Sequence, residues 1–241
     1  CTSKSQVTVN ITGGAVSVSA LASASSVCNG NGVTLTALAS GGSGTYTYSW
    51  SSNPSGFSSG DDNPYFVPSG TASYTVTVSD GFNSATSTIN VNVYPLPTAT
   101  ATNTGPYCAG QNIQLNASGG STYSWTGPNG FTSSLASPLI SSSTSANAGT
   151  YTVVVTSAEG CTDSEVTNVV INAIPVATAS NNGPYCAGET VNLSVTGGTS
   201  YAWSGPAGFS SSAANPAITA ATPAVSGTYT VVVSGTGGCT A

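Results

Sequence analysis

At 241 residues the chain has room for one to three domains, and it carries one basic and seven acidic side chains, no His and a net charge of −6. A single Lys cannot displace counterions from a phosphate backbone or form a basic membrane-surface patch, so nucleic-acid binding is excluded. The chain is not membrane-spanning by helix either, since no apolar run approaches the roughly 20 residues of a span. With 39% hydrophobic residues in regular patterns, it is not a disordered polar tract.

In chain order, the opening CTSKSQVTVNIT (1–12) reads as a single strand. Val33-Thr34-Leu35-Thr36-Ala37 alternates with the period of two that turns one face of a strand inward. The turn Gly41-Gly42 follows, then Tyr48-x-Trp50, whose rings share a strand face. A loop with Asp61-Asp62 comes next, then Ser73-Tyr74-Thr75-Val76-Thr77-Val78, another inward-alternating strand. The prolines of Val93-Tyr94-Pro95-Leu96-Pro97 close this stretch, because Pro removes a backbone donor and ends a ladder. The same order then repeats twice: Ile113–Ala117, Gly119-Gly120, Tyr123-x-Trp125 and Tyr151, a joint at Pro175, then Val191–Val195, Gly197-Gly198, Tyr201-x-Trp203 and Tyr229. Nothing has a capped 3.6-residue period. The expected fold is all-β, tandem Ig-like/PKD-like β-sandwich modules forming an elongated rod, with short joints that make it stiff.

The second and third copies form a strict repeat. Cys108 and Cys186, Trp125 and Trp203, Tyr151 and Tyr229, and Cys161 and Cys239 are each 78 residues apart. Cys28, Trp50 and Tyr74 take the same places in a looser first copy, where Phe82 or Asn83 stands for the late cysteine. Aligned on cysteine, Cys1–Val9 matches Cys161–Val169, the last strand of the middle module. The expected organisation is therefore 1–12, last strand of a preceding module; 13–95, module 1; 96–174, module 2; and 175–241, module 3 lacking its last strand. A chain without Met or leader is expected to be a mature protein or a piece of one. Residues 1–12 either fill the vacancy in another subunit by strand donation or mark a cut from a longer repeat chain. The Cys-Thr pair at both ends favours the cut, since donation would supply a cysteine already present.

Tyr-Cys-Ala-Gly, Trp-x-Gly-Pro-x-Gly-Phe (125–131 and 203–209), Gly-Thr-Tyr-Thr-Val-Val-Val and Gly-Cys-Thr (160–162 and 238–240) together resemble the Ig-like/PKD-like repeats of very large Bacteroidetes cell-surface proteins. The first copy lacks the Trp-Asp-Phe-Gly-Asp-Gly core of the PKD family. The resemblance implies export by the type IX route and a role in adhesion or gliding.

Six cysteines imply disulfides and an extracellular or cell-surface location. One pairing is Cys108–Cys161 and Cys186–Cys239, within modules. In an Ig-type sandwich, however, those partners fall at opposite ends of strands about 23 Å long, whereas a disulfide needs Cα atoms within roughly 7 Å. Stacking of modules brings the other pairing, Cys28–Cys161 and Cys108–Cys239, into play, and leaves Cys1 and Cys186 for modules outside. Both remain open at this level. Trp50, Trp125, Trp203, Tyr74, Tyr151 and Tyr229 are expected in the cores. Asp61 and Asp62 are a weak calcium candidate, lacking a third carboxylate at useful spacing. No cofactor is expected. Without His, a carboxylate pair or a nucleophile elbow, neither is an enzyme. The function expected is a structural extracellular repeat, a segment of a surface fibre or giant adhesin giving length, stiffness and cohesion. Its partners would be neighbouring modules or subunits of the same fibre. A carbohydrate- or surface-binding module, with glycans as partners, and a non-catalytic spacer of a larger secreted protein are the alternatives.

Overall fold

The computed structural model describes residues 3–7 and 14–241. Most of the strand expected at 1–12 therefore lies outside the described residues; Ser3–Val7 are exposed and outside regular structure. Regular structure in the described residues is β-strand with short 3-10 turns. The chain divides into two compact units: one runs to Leu96 and takes in Glu159–Cys161, and the other comprises Pro97–Ala158 and Thr162–Ala241.

The first unit holds β1 (Ser17–Ala22), β2 (Ser26–Cys28), β3 (Val33–Ser40), β4 (Thr47–Asn53), β5 (Ser58–Ser59), β6 (Tyr65–Phe66), β7 (Ala72–Ser79) and β8 (Ser84–Tyr94). They form two sheets, β1-β3-β6 and β2-β8-β7-β4-β5. Their inward faces supply Val33, Leu35, Trp50, Tyr74, Val76, Val78 and Val91 to one core. Trp50 stands opposite Val76 across the β4–β7 ladder. Each aliphatic side chain this deeply buried contributes about 1.5–3 kcal/mol of transfer free energy, which is why the alternation sets the register.

The second unit holds two sandwiches. The earlier is built from β9 (Thr100–Asn103), β10 (Tyr107–Cys108), β11 (Ile113–Ser118), β12 (Thr122–Gly127), β13 (Phe131–Ser133), β14 (Leu139–Ile140), β15 (Gly149–Thr156), β16 (Thr162–Val169) and β17 (Ile171–Asn172). Sheets β14-β11-β9 and β13-β12-β15-β16 enclose Ile113, Leu115, Trp125, Tyr151, Val153, Val155 and Val169. The later comprises β18 (Thr178–Asn181), β19 (Val191–Thr196), β20 (Ser200–Ser204), β21 (Ser210–Ser211), β22 (Ala217–Ile218) and β23 (Thr230–Ser234). Sheets β18-β19-β22 and β21-β20-β23 enclose Val191, Leu193, Val195, Trp203 and Val233.

The recurring Gly-Gly has a steric cause. Gly119 has φ +110°, and a Cβ there would stand 1.9 Å from the Thr98 carbonyl oxygen; at Gly197 (φ +88°) it would stand 2.1 Å from that of Val176. The turn therefore needs a residue with no side chain. The motif Trp-x-Gly works similarly, since a Cβ on Gly127 would meet the Tyr151 ring at 2.3 Å.

Each tryptophan is packed and hydrogen-bonded in the same way. Nε1–H donates to a carbonyl on the loop that follows: Trp50 to Asp61 (3.0 Å), Trp125 to Leu135 (3.1 Å) and Trp203 to Ala213 (3.0 Å). Tyr151 donates its hydroxyl to the Asn147 carbonyl (2.9 Å), and Tyr229 donates to Val225 (2.7 Å). This bond back to the chain four residues upstream is the tyrosine corner of Ig sandwiches. Burial pushes the Tyr74 and Tyr151 phenols above their ordinary pKa, because the phenolate would lose its hydration. One expected core residue departs from the pattern. Tyr229 is only half-buried, where Tyr151 is fully enclosed, because no described strand beside β23 takes the place that β16 holds beside β15.

Candidate functional site

The most distinctive chemistry of the chain is concentrated at the ends of the sandwiches, around the cysteines. In the first unit β2 pairs in parallel with the end of β8, placing Cys28 opposite Tyr94. The Asn29 amide continues the ladder to the Tyr94 carbonyl at 2.8 Å, and Asn31 N–H turns back to the Cys28 carbonyl at 2.9 Å. In the second unit β10 pairs in parallel with β17, placing Cys108 opposite Asn172. Ala109 N–H donates to Asn172 and Gln111 N–H to Cys108, while the Gln111 side chain accepts from Cys108 N–H at 2.8 Å. Each cysteine is thus held by backbone at the tip of a sandwich.

The structure joins Cys28 to Cys161, with Cα atoms 5.6 Å apart across a sequence separation of 133, and Cys108 to Cys239, again at 5.6 Å and across 131. Cys108 and Cys161 are therefore not joined, nor are Cys186 and Cys239. Cys161 ends the Glu159–Cys161 turn, which leaves the β15–β16 hairpin and packs with the first unit. Cys239 follows the 3-10 turn Thr236–Gly238 at the end of the third sandwich and is bonded to the opposite tip of the second, within one unit. The two late cysteines are almost fully buried, each 1% exposed. Close approach requires a glycine at this junction: Gly237 has φ +67°, and a Cβ there would lie 2.1 Å from the Asn172 amide nitrogen. Cys186 occupies the equivalent tip of the third sandwich, its N–H donating to Glu189 at 2.7 Å, and is a free, exposed thiol.

The remaining expected residues do not converge. The Asp61 carboxylate accepts from Ser59 Oγ at 3.2 Å, and the backbone carbonyls of Asp61 and Asp62 are taken by Trp50 and by the Ala37 N–H. Both acids are exposed in a turn. Among the described residues no three His, Cys, Asp or Glu side chains come together as a metal site, and no helix is long and apolar enough to cross a membrane. One carboxylate missed at the sequence level is structural. Asp80 accepts N–H bonds from Asn83 (2.7 Å), Phe82 (2.9 Å) and Ser43 (3.0 Å). These bonds, that of Asn83 foremost, hold its carboxyl below the usual Asp range. The signal was present as Asp-Gly-x-Asn, an Asx-turn pattern. Phe82, in the place of the late cysteine, is 90% exposed.

No known protein-family model matches this sequence, and no curated protein matches it. Solved structures do resemble the fold. The I-band fragment I67–I69 from titin aligns over 93% of this chain and 95% of its own, with TM-score 0.52 and 12% identity. An E-to-A mutated variant of titin I67–I69, a three-Ig structure, covers 92% and 96% with TM-score 0.50 and 12% identity. The chain is built of tandem Ig-like β-sandwiches. A structure concerning host cell surface retention of a 1.5-MDa bacterial ice-binding adhesin covers 94% of both chains at 16% identity, but its TM-score of 0.37 carries no further argument.

Proposed function

We propose that the chain is a structural extracellular repeat: a segment of a surface fibre or giant adhesin, of the Bacteroidetes cell-surface kind, that supplies length, stiffness and cohesion. The observation that carries this reading is the pair of disulfides placed at sandwich tips, each linking cysteines more than 130 residues apart in sequence. A bond within one sandwich would stabilise that sandwich alone. Cys108–Cys239 instead runs from one sandwich to the next beside the peptide connection, so tension at that joint is shared between two covalent routes. Disulfides of this kind persist in oxidising compartments, which supports an extracellular location. With eight charged side chains in 241 residues, little like-charge repulsion opposes lateral packing of Ser- and Thr-covered surfaces, which supports cohesion.

Electron microscopy of the native material, with its denatured and reduced mass, tests the reading. Fibres, or long surface appendages labelled by an antibody to this chain, are the expected result. Dispersed short particles that bind a glycan array would overturn it in favour of a carbohydrate-binding module.

A further inference from the structure

The three sandwiches carry equivalent tyrosines, Tyr74, Tyr151 and Tyr229, so each is a control for the others. Tyr151 and Tyr229 donate their hydroxyls to carbonyls four residues upstream, on the 3-10 turns Ser145–Asn147 and Pro223–Val225. Tyr74 is buried in the first core at 2% exposure, but the stretch before it, Val67-Pro68-Ser69-Gly70, forms no such turn. Its hydroxyl has no hydrogen-bond partner among the described residues, and its oxygen is not sealed off, so the small exposed part of the residue includes it. A phenol set this deeply ordinarily finds a partner.

The hydroxyl meets a pocket of about 120 Å³, which Tyr74 lines with Phe57, Phe66, Pro54, Pro68 and Gly70. Phe57 and Phe66 stack with ring centroids 4.0 Å apart, and they pack against the Tyr74 ring at 5.6 and 5.0 Å. Phe66 sets this copy apart. It stands opposite Val33, where the other sandwiches place Ile140 opposite Ile113 and Ile218 opposite Val191. The loops around the opening are tied down. Ser52 Oγ donates to the Pro54 carbonyl at 2.8 Å and accepts from Phe57 N–H at 3.0 Å, and Thr71 Oγ1 accepts from Val93 N–H at 2.8 Å. The walls are therefore set before a ligand arrives, and the lining is uncharged.

These features select a ligand class. The pocket is well below the roughly 300–1,000 Å³ of sites that enclose a whole small molecule, so it takes one ring or side chain. Uncharged walls reject an ionic group, whose lost hydration nothing would replace. A pyranose would bring several hydroxyls to a site where Ser52 and Thr71 are engaged and Ser55 and Ser69 lie out on the exposed rim, leaving most of them unpaired. A proline ring has no polar group to satisfy, packs on aromatic faces, and is preceded by a peptide carbonyl that can accept the phenol's proton. We infer that this pocket binds one proline of an extended, uncharged segment of a partner chain, with the Tyr74 hydroxyl donating to the carbonyl beside that ring. The site is carried by the first sandwich. It goes beyond the mechanical reading and does not rest on it.

The test is an NMR titration of the 241-residue chain with the blocked peptide acetyl-Gly-Pro-Pro-Gly-amide, with acetyl-Gly-Ala-Ala-Gly-amide and methyl glucoside alongside. The proline peptide should give saturable amide shifts confined to Phe57, Phe66 and Ser69–Tyr74, and the other two should not. Tyr74→Phe should weaken that binding about tenfold. It should leave urea unfolding unchanged, unlike Tyr151→Phe, because no hydrogen bond within the protein is lost. No saturable shift at these residues would overturn the inference. Equal shifts from the alanine peptide, or shifts from methyl glucoside in place of the proline peptide, would overturn the ligand class. Binding indifferent to Tyr74→Phe, or a loss of stability as large as in Tyr151→Phe, would overturn the part given to the hydroxyl. The fibre reading survives each of these failures, because imaging of native material decides it separately.

Discussion

Removing the Cys108–Cys239 bond should destabilise the third sandwich far more than the second. Cys239 lies at the end of the third sandwich, and its partner is anchored on the second. When the third sandwich unfolds alone, the chain from Pro175 to Cys239 is a closed loop if the bond is present and a free tail if it is not. For a loop of that size the chain-entropy estimate is about 4 kcal/mol of lost stability. When the second sandwich unfolds alone, its segment is still held by the chain at both ends and at Cys161 by the Cys28–Cys161 bond, so losing Cys108–Cys239 frees an already tethered segment and the loss there is smaller. Cys108→Ser is the cleaner perturbation, since Cys108 is partly exposed whereas Cys239 is buried, and Cys239→Ser would add a packing defect. Hydrogen exchange read by mass spectrometry resolves the sandwiches peptide by peptide. In Cys108→Ser, the core peptides of β19, β20 and β23 should exchange about a thousandfold faster, the equivalent of 4 kcal/mol. Peptides of β3, β4 and β7 should be unchanged. Equal acceleration in all three sandwiches, or none in the third, would refute the loop argument.

Other expectations follow from single contacts. Tyr151→Phe removes a buried hydroxyl that serves the Asn147 carbonyl, and should lower stability by about 1 kcal/mol or somewhat more in thermal or urea unfolding. Gly119→Ala forces a side chain into φ +110° and onto the Thr98 carbonyl; it should cost more than the roughly 1 kcal/mol scale of an ordinary Gly→Ala change, whereas Gly110→Ala, with open space around it, should cost only its backbone strain. Asp80, whose folded pKa lies below the ordinary value, stabilises its turn at pH above the usual Asp range. That contribution should fade as pH falls from about 4 through the lower folded pKa, and be absent in Asp80→Asn; an NMR titration showing an ordinary or raised carboxyl pKa would contradict it. Alkylation of the native protein followed by peptide mapping should modify Cys186 and leave Cys28, Cys108, Cys161 and Cys239 unmodified.

Much of the fold is legible in the sequence because its causes are local. A period of two at Val33–Ala37, Ile113–Ala117 and Val191–Val195 turns a face inward wherever a strand forms, and Tyr-x-Trp puts two aromatic rings on one face. Gly-Gly marks a turn because only glycine tolerates its dihedrals and its contact with a neighbouring carbonyl. Repetition at 78 residues then implies that what holds for one copy holds for the next, and the near-absence of charge excludes whole classes of partner. Three matters belong to the tertiary structure. Cysteine spacing leaves two pairings open, since both place equivalent residues together; the choice depends on which sandwich tips meet, and the structure joins Cys28 to Cys161 and Cys108 to Cys239. Tyr151 and Tyr229 stand in the same motif, yet one is enclosed and the other half-exposed, because burial of an edge residue is decided by a strand distant in sequence. Asp80 reads as one scattered acid until its turn closes three N–H groups on it. Periodicity is a property of neighbours along the chain, whereas enclosure, pairing and electrostatics are properties of neighbours in space.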